Sequence, residues 1–107
     1  MVYQVNVVED AEQDILDIYH FLESHDSEWS AIGILDGLEK SISGLSSLPE
    51  RGHTPPELKR INVTDFREIH YKCFRIIYEI DGKKVFVFAV LDGRRDIQDL
   101  LEKRLLR

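Results

Sequence analysis

Bases are almost missing from the first half of this chain. Among residues 1–50 only Lys40 is basic, against eleven acidic side chains, a balance of −10. Residues 51–107 carry thirteen bases and nine acids, a balance of +4, within a net charge of −6. That net charge argues against a general nucleic-acid binder, which depends on a positive excess to displace counterions from phosphates. Any anion or acidic partner is expected at the C-terminal half. Cysteine is scarce as well. A lone Cys73 cannot close an internal disulfide, and in a strand pair it is expected as a small apolar filler. No apolar run approaches the roughly 20 residues of a membrane span, and the opening strand is too polar for a signal peptide. The expected compartment is therefore the cytoplasm, with no membrane partner. His20, His25 and His53 fall on a helix, in a turn and in a loop without metal-ligand spacing, so no metal and no cofactor is expected.

What is present is organised around residues 66–96. Asp81-Gly82 predicts a two-residue hairpin turn with both central residues at positive φ. Before it, Phe74, Ile76, Tyr78 and Ile80 share one face by the period of two, and Arg75, Ile77 and Glu79 share the other. After it, residues 85–91 are apolar throughout, the pattern of a central strand covered on both faces.

Upstream, Tyr3, Val5 and Val7 alternate with polar residues as a first strand. Asp10, with Gln13 three residues on, resembles a capping box opening a helix whose inward stripe is Ala11, Ile15, Ile18, Tyr19 and Leu22. The short turn at 24–27 sends a second helix back antiparallel, with Ala31, Ile34, Leu35, Leu38, Ile42 and Leu45 inward. Gly33, Gly37 and Gly44 either weaken that helix or let the two helices approach closely. Pro49 ends the helical unit, and residues 51–65 form a loop punctuated by Gly52, Pro55 and Pro56. From about Asp96, the stripe Ile97, Leu100, Leu101 and Leu105 predicts a closing helix. The expected fold is α+β, in the order β-α-α-β-β-β-α. A helical hairpin packs on one face of a mainly antiparallel sheet, and residues 1–107 form a single domain.

This order and its motifs resemble the RelE/ParE superfamily of toxins from bacterial type II toxin–antitoxin modules. Residues 11–19 are similar to the first-helix pattern, and Leu48-Pro49-x-x-Gly52 to the helix-to-loop junction. Residues 74–78 (FRIIY) are similar to the strand signature, and Gly93-Arg94-Arg95-Asp96 with Leu105-Leu106 to the ParE-type ending. The resemblance implies a toxin of a plasmid-stabilising module, held by a cognate antitoxin and taking no small-molecule substrate. RelE-like members cleave messenger RNA on the ribosome; ParE-like members poison DNA gyrase without hydrolytic chemistry.

RNA cleavage needs a group to activate the 2′-hydroxyl, a cation for the phosphorane and an acid for the leaving oxygen. Arg75 matches the family's strand arginine and Arg95 the arginine before the last helix. Arg67 stands where the RelE basic pair begins, but its second member falls near Ile69. The terminal-helix aromatic acid falls at about Leu101, which has no proton to give. With His70 added as a proton-transfer group, Arg67, His70, Arg75 and Arg95 are the candidates for a nuclease. The ParE-like alternative is preferred, with Arg94, Arg95, Leu101 and Leu105 facing the target and Arg67, Arg75, Ile77 and Arg95 facing the antitoxin. The bland alternatives are a surface Arg75 bridged to Glu79, an Arg94–Arg95 pair that is only a helix entry, and an inert binding module.

Overall fold

A computed structural model describes residues 2–106. The elements are β1 (Gln4–Val7), α1 (Glu9–His25), α2 (Glu28–Ser43), α3 (Pro56–Lys59), β2 (Phe66–Tyr71), β3 (Phe74–Asp81), β4 (Lys84–Asp92) and α4 (Gln98–Leu105). The sheet order is β1-β4-β3-β2. Only the β1–β4 pair is parallel; β2–β3 and β3–β4 are antiparallel hairpins. The α+β order and the mainly antiparallel sheet are those expected from the hydrophobic periods.

One face of the sheet carries the helical hairpin. Leu38, Ile42 and Leu45 meet Phe74, Ile76, Tyr78, Val85 and Val87 there. Only Ala11 is buried on α1, so α2 and the turn after it fill this core. The other face is covered too, which corrects the expectation of helices on one face. Leu58 of α3 and Ile97 and Leu101 at α4 pack on Phe66, Ile77, Ala89 and Leu91. Two-sided cover is why β4 is apolar without alternation.

Several local expectations shift by a residue. The capping box does not form: α1 begins at Glu9 behind Val8, which has no side-chain cap, and Glu9, Asp10 and Glu12 sit in the first turn, where the helix dipole favours them. The interhelical turn shrinks to Asp26-Ser27, with the Ser27 hydroxyl accepting from the Ser30 N–H at 3.0 Å. Asp81 pairs with Lys84, so the hairpin turn is Gly82-Lys83, and of these only Gly82 has positive φ, +61°. The hairpin between β2 and β3 turns at Lys72-Cys73, with Lys72 at φ +53°. Gly37 serves neither helix weakness nor helix–helix approach; a Cβ there would collide with the Tyr71 ring.

Beyond Val7, β1 stops and the edge of β4 is left open. A register shift between Ile77 and Tyr78 leaves Phe88 as the extra residue on β4, turning the Phe88 carbonyl and Val90 N–H towards that edge. Asp14 of α1 accepts the Val90 N–H at 2.9 Å. Arg104 of α4 donates to the Phe88 carbonyl at 3.3 Å and makes a forked pair with Asp14 at 2.9 and 3.1 Å. Two side chains thus satisfy the backbone groups that a longer first strand would have met, and they tie α4 to α1 around the edge.

At the opposite edge the segment 49–53 is drawn onto the sheet. The Tyr78 hydroxyl donates to the Pro49 carbonyl at 2.6 Å and accepts the Gly52 N–H at 3.1 Å. Burial raises the pKa of this phenol, which keeps the donating proton in place. A Cβ on Gly52 would lie 2.7 Å from the Glu68 carbonyl oxygen and against the Tyr78 hydroxyl; this close approach is the physical content of the Leu48-Pro49-x-x-Gly52 motif. Gly52→Ala is expected to lower stability by about 1–3 kcal/mol through overpacking, read as a drop in the urea midpoint with unchanged m-value. Gly33→Ala, with nothing within 4 Å of the added carbon, is the control and should not destabilise.

Candidate functional site

The chemistry-bearing residues of β2 and β3 gather on the α3/α4 face because they share the strand period with Ile77. Arg75 is 9% exposed and Glu68 1%. The Arg75 Nε donates to Glu68 Oε1 at 2.5 Å, and its two terminal nitrogens fork onto Glu57 at 2.7 and 2.6 Å. Glu57 is presented by α3, the single turn that Pro55 and Pro56 open. Arg75 therefore holds two carboxylates across the sheet and does not reach Glu79. Hydrogen bonding from Arg75 holds the Glu57 carboxyl below its ordinary value despite its partial burial, and Glu57, then Glu68, raises the Arg75 guanidinium in turn. Glu79 lies near Asp65 and Asp81; burial and then these acids push its pKa up.

His53 bridges to the outer edge of β2, exchanging both backbone hydrogen bonds with Glu68 at 3.1 and 2.7 Å. That pairing puts the His53 side chain on the Glu68 face, and His70, two residues along β2, lies on the same face. His53 Nε2 is 3.0 Å from Glu68 Oε2, and His70 Nε2 is 3.5 Å from Glu68 Oε1. The two rings meet edge to face at 5.4 Å. One ligand atom from each of these three residues lies within 4.8 Å of the others. The expectation of histidines without metal spacing is thus corrected for His53, which the fold brings to Glu68 and His70 from fifteen residues upstream.

The other candidates separate into buried and exposed. Arg67, on the opposite face of β2, donates to the Glu50 and Gly52 carbonyls at 3.3 and 3.0 Å. Ile77 and Leu101 are fully buried in the second core, so neither side chain offers surface to a partner. Leu105 is half-buried against the same core. Arg94 and Arg95 do not open a helix: α4 starts at Gln98, behind Ile97, so the dipole argument for that pair falls away. Arg94 forks onto Asp92 at 3.0 and 2.7 Å, and that contact holds the Asp92 carboxyl down at about 2. Arg95 is exposed, and its side chain makes no hydrogen bond or ion pair with another described residue. Both arginines rim a groove of about 440 Å³ between α1 and the end of β4, floored by Ile18, Leu22, Phe74 and Val90.

Sequence reasoning missed Glu57, Glu68 and His53. The alternation Glu68-x-His70 beside Arg75 was a legible signal for part of the cluster; the approach of residues 53 and 57 was not.

A family model described as ParE toxin of type II toxin-antitoxin system, parDE, matches residues 5–97. No curated protein matches the chain. Among solved structures, the chromosomal ParDE system from P. aeruginosa is similar with TM-score 0.69 at 14% identity, covering 83% of this chain and 94% of that one. The toxin–antitoxin complex RelBE2 from Mycobacterium tuberculosis is similar with TM-score 0.61 at 22% identity, covering 86% and 92%. A free, doubly substituted E. coli toxin RelE gives TM-score 0.61 at 20% identity over 100% and 98%. At these identities the structural likeness carries the fold alone.

The ion cage has a pH signature. Glu57 has a folded value below its unfolded one, so its contribution to stability is complete above the ordinary carboxylate range, near pH 4.5, and disappears as pH falls through the depressed folded value. Unfolding midpoints measured from pH 6 to pH 2.5 should fall more steeply for the native chain than for Glu57→Gln, whose position 57 does not titrate. Parallel curves would show that this pair does not carry the acid sensitivity.

Proposed function

The chain belongs to the family of ParE toxins of type II toxin–antitoxin systems, and from that premise we propose that it arrests growth by holding DNA gyrase, with a cognate antitoxin as its neutralising partner. The observation that carries this choice over ribosome-dependent RNA cleavage is the engagement of Arg75. All three guanidinium nitrogens face carboxylates, and a guanidinium so enclosed has no fork left for a phosphorane. The position that matches the family's aromatic acid on the terminal helix is about the fully buried Leu101, which has no proton to give. The net charge of −6 adds long-range repulsion from ribosomal RNA.

A toxin that acts by occupancy needs a surface. Arg95 and the apolar groove beside Phe21 and Leu22, lined also by Asp14, Asp17 and the Asp92–Arg94 pair, supply one on which charged groups and apolar area meet, the combination that favours a protein partner. Leu101 leaves the proposed surface because it is core, and Leu105 leaves it because it lines a separate depression with Val8, Phe88 and Arg104. For the antitoxin, Arg95 is the candidate that can be tested without unfolding the protein. Charge reversal at Arg75 would strand the buried Glu68 charge and the partly buried Glu57 charge, at a cost of about 3–5 kcal/mol.

Purified toxin is expected to inhibit gyrase supercoiling and to leave ribosome-bound messenger RNA intact. Arg95→Ala should keep its unfolding free energy within about 0.5 kcal/mol of the native value and lose growth arrest. A folded and fully toxic Arg95→Ala removes this surface from the proposal. Site-selective RNA cleavage abolished by His70→Ala overturns the gyrase reading in favour of RelE-like chemistry.

A further inference from the structure

We propose that His53, Glu68 and His70 form a binding site for a zinc-class divalent cation at the outer edge of β2, independent of the toxin's target. The donor set is two imidazoles and one carboxylate, a combination suited to zinc and its neighbours, and ill-suited to magnesium or calcium, which take oxygen ligands. The spacing fits. Zinc with nitrogen and oxygen ligands at tetrahedral angles separates neighbouring donors by roughly 3.3 Å. Here His53 Nε2 lies 3.0 Å from Oε2 of Glu68, and His70 Nε2 lies 3.5 Å from the other oxygen, Oε1, of the same carboxylate. The remaining histidine–histidine separation lies within 4.8 Å, and both rings are more than half exposed, free to turn by the ångström or so that closure needs.

The anchor is buried and the arms are exposed. Glu68 is 99% withdrawn from solvent and fixed by Arg75 through Oε1, which leaves Oε2 for the cation. Local charge permits it: Glu57 and Glu68 against Arg75 leave one net negative charge beside two imidazoles. Arg51 lines the same depression but is turned onto the Ser41 carbonyl at 2.9 Å. Arg75 here plays the outer part that orients a ligating carboxylate. Binding would tie residue 53, and with it the segment that crosses the sheet edge, to β2 by a metal bridge as well as by backbone hydrogen bonds.

The experiment is calorimetric titration of the purified, metal-stripped full chain with Zn²⁺, beside the absorption spectrum of the Co²⁺ form. One equivalent should bind, with four-coordinate Co²⁺ bands, and the thermal midpoint should rise with zinc concentration as linkage requires. His53→Gln and His70→Gln, at exposed rings, should each fold normally and lose affinity by at least about tenfold. Glu68→Gln should do the same, but the buried position endangers the fold, so the histidine variants decide. His20→Gln with His25→Gln should bind unchanged, and Mg²⁺ should not compete. The proposal is overturned if no equivalent binds, if the His53 and His70 variants bind like the native chain, or if the His20/His25 variant loses the signal.

Discussion

Arg75 is the charge on which the second face of the sheet depends. It rises from β3 among apolar side chains, where an unpaired guanidinium would be prohibitively costly, and it is kept there by Glu68 beside it and Glu57 above it. The arrangement has a direction. Glu68 lies on the neighbouring strand, at a position the sheet register dictates, whereas Glu57 reaches in from a helix of one turn that could not hold its place alone. The ion cage and Leu58 together pin that turn, and α4 then packs beside it, with Gln98 donating to the Glu57 carbonyl at 2.8 Å. Such buried pairs contribute little net stability but impose a strong penalty on any arrangement that separates them. Here they select one docking of the 51–65 segment from the many that a proline-rich loop could adopt.

The elements were legible in the sequence where burial imposes a period. The faces of β3 divide at Arg75 and Ile77 as the alternation requires, and the unbroken apolar run of β4 belongs to a strand covered twice. Legibility fails where a long-range contact decides. The cover of the second face was legible only in part: α4 shows as the stripe through Leu101, whereas α3 is a single turn and its Leu58 carries no period of its own. The hairpin turn moved by one residue because the pairing of Ile80 with Val85 governs the register, and a single glycine at positive φ suffices for a turn of the opposite pattern.

The site shows the same division. Arg75 was singled out for its place on a strand, but its pairing in the fold depends on residues 57 and 68, one brought by α3 and the other by strand pairing. His70 read as a histidine without a partner, and the partner is two residues away on its own strand face. His53 was discarded for its spacing, although spacing along the chain is a poor measure for a residue that an isolated bridge carries onto a strand edge. Arg95 is the one basic candidate whose side chain remains uncommitted among the described residues, and its exposure could not be inferred from a motif.

The four-residue first strand has a consequence for how this architecture can change. Because β1 ends early, Asp14 and Arg104 occupy the place of two further strand residues and fasten the last helix to the first. A homologue that extended the strand would meet Phe88 and Val90 with backbone groups and evict both side chains. It would then have to hold its C-terminal helix by apolar packing and the hydrogen bonds of Gln98, or release it. Strand length at one end of the chain and helix attachment at the other are therefore alternatives for the same few ångströms of sheet edge, and an insertion near residue 7 would be felt first at residue 104.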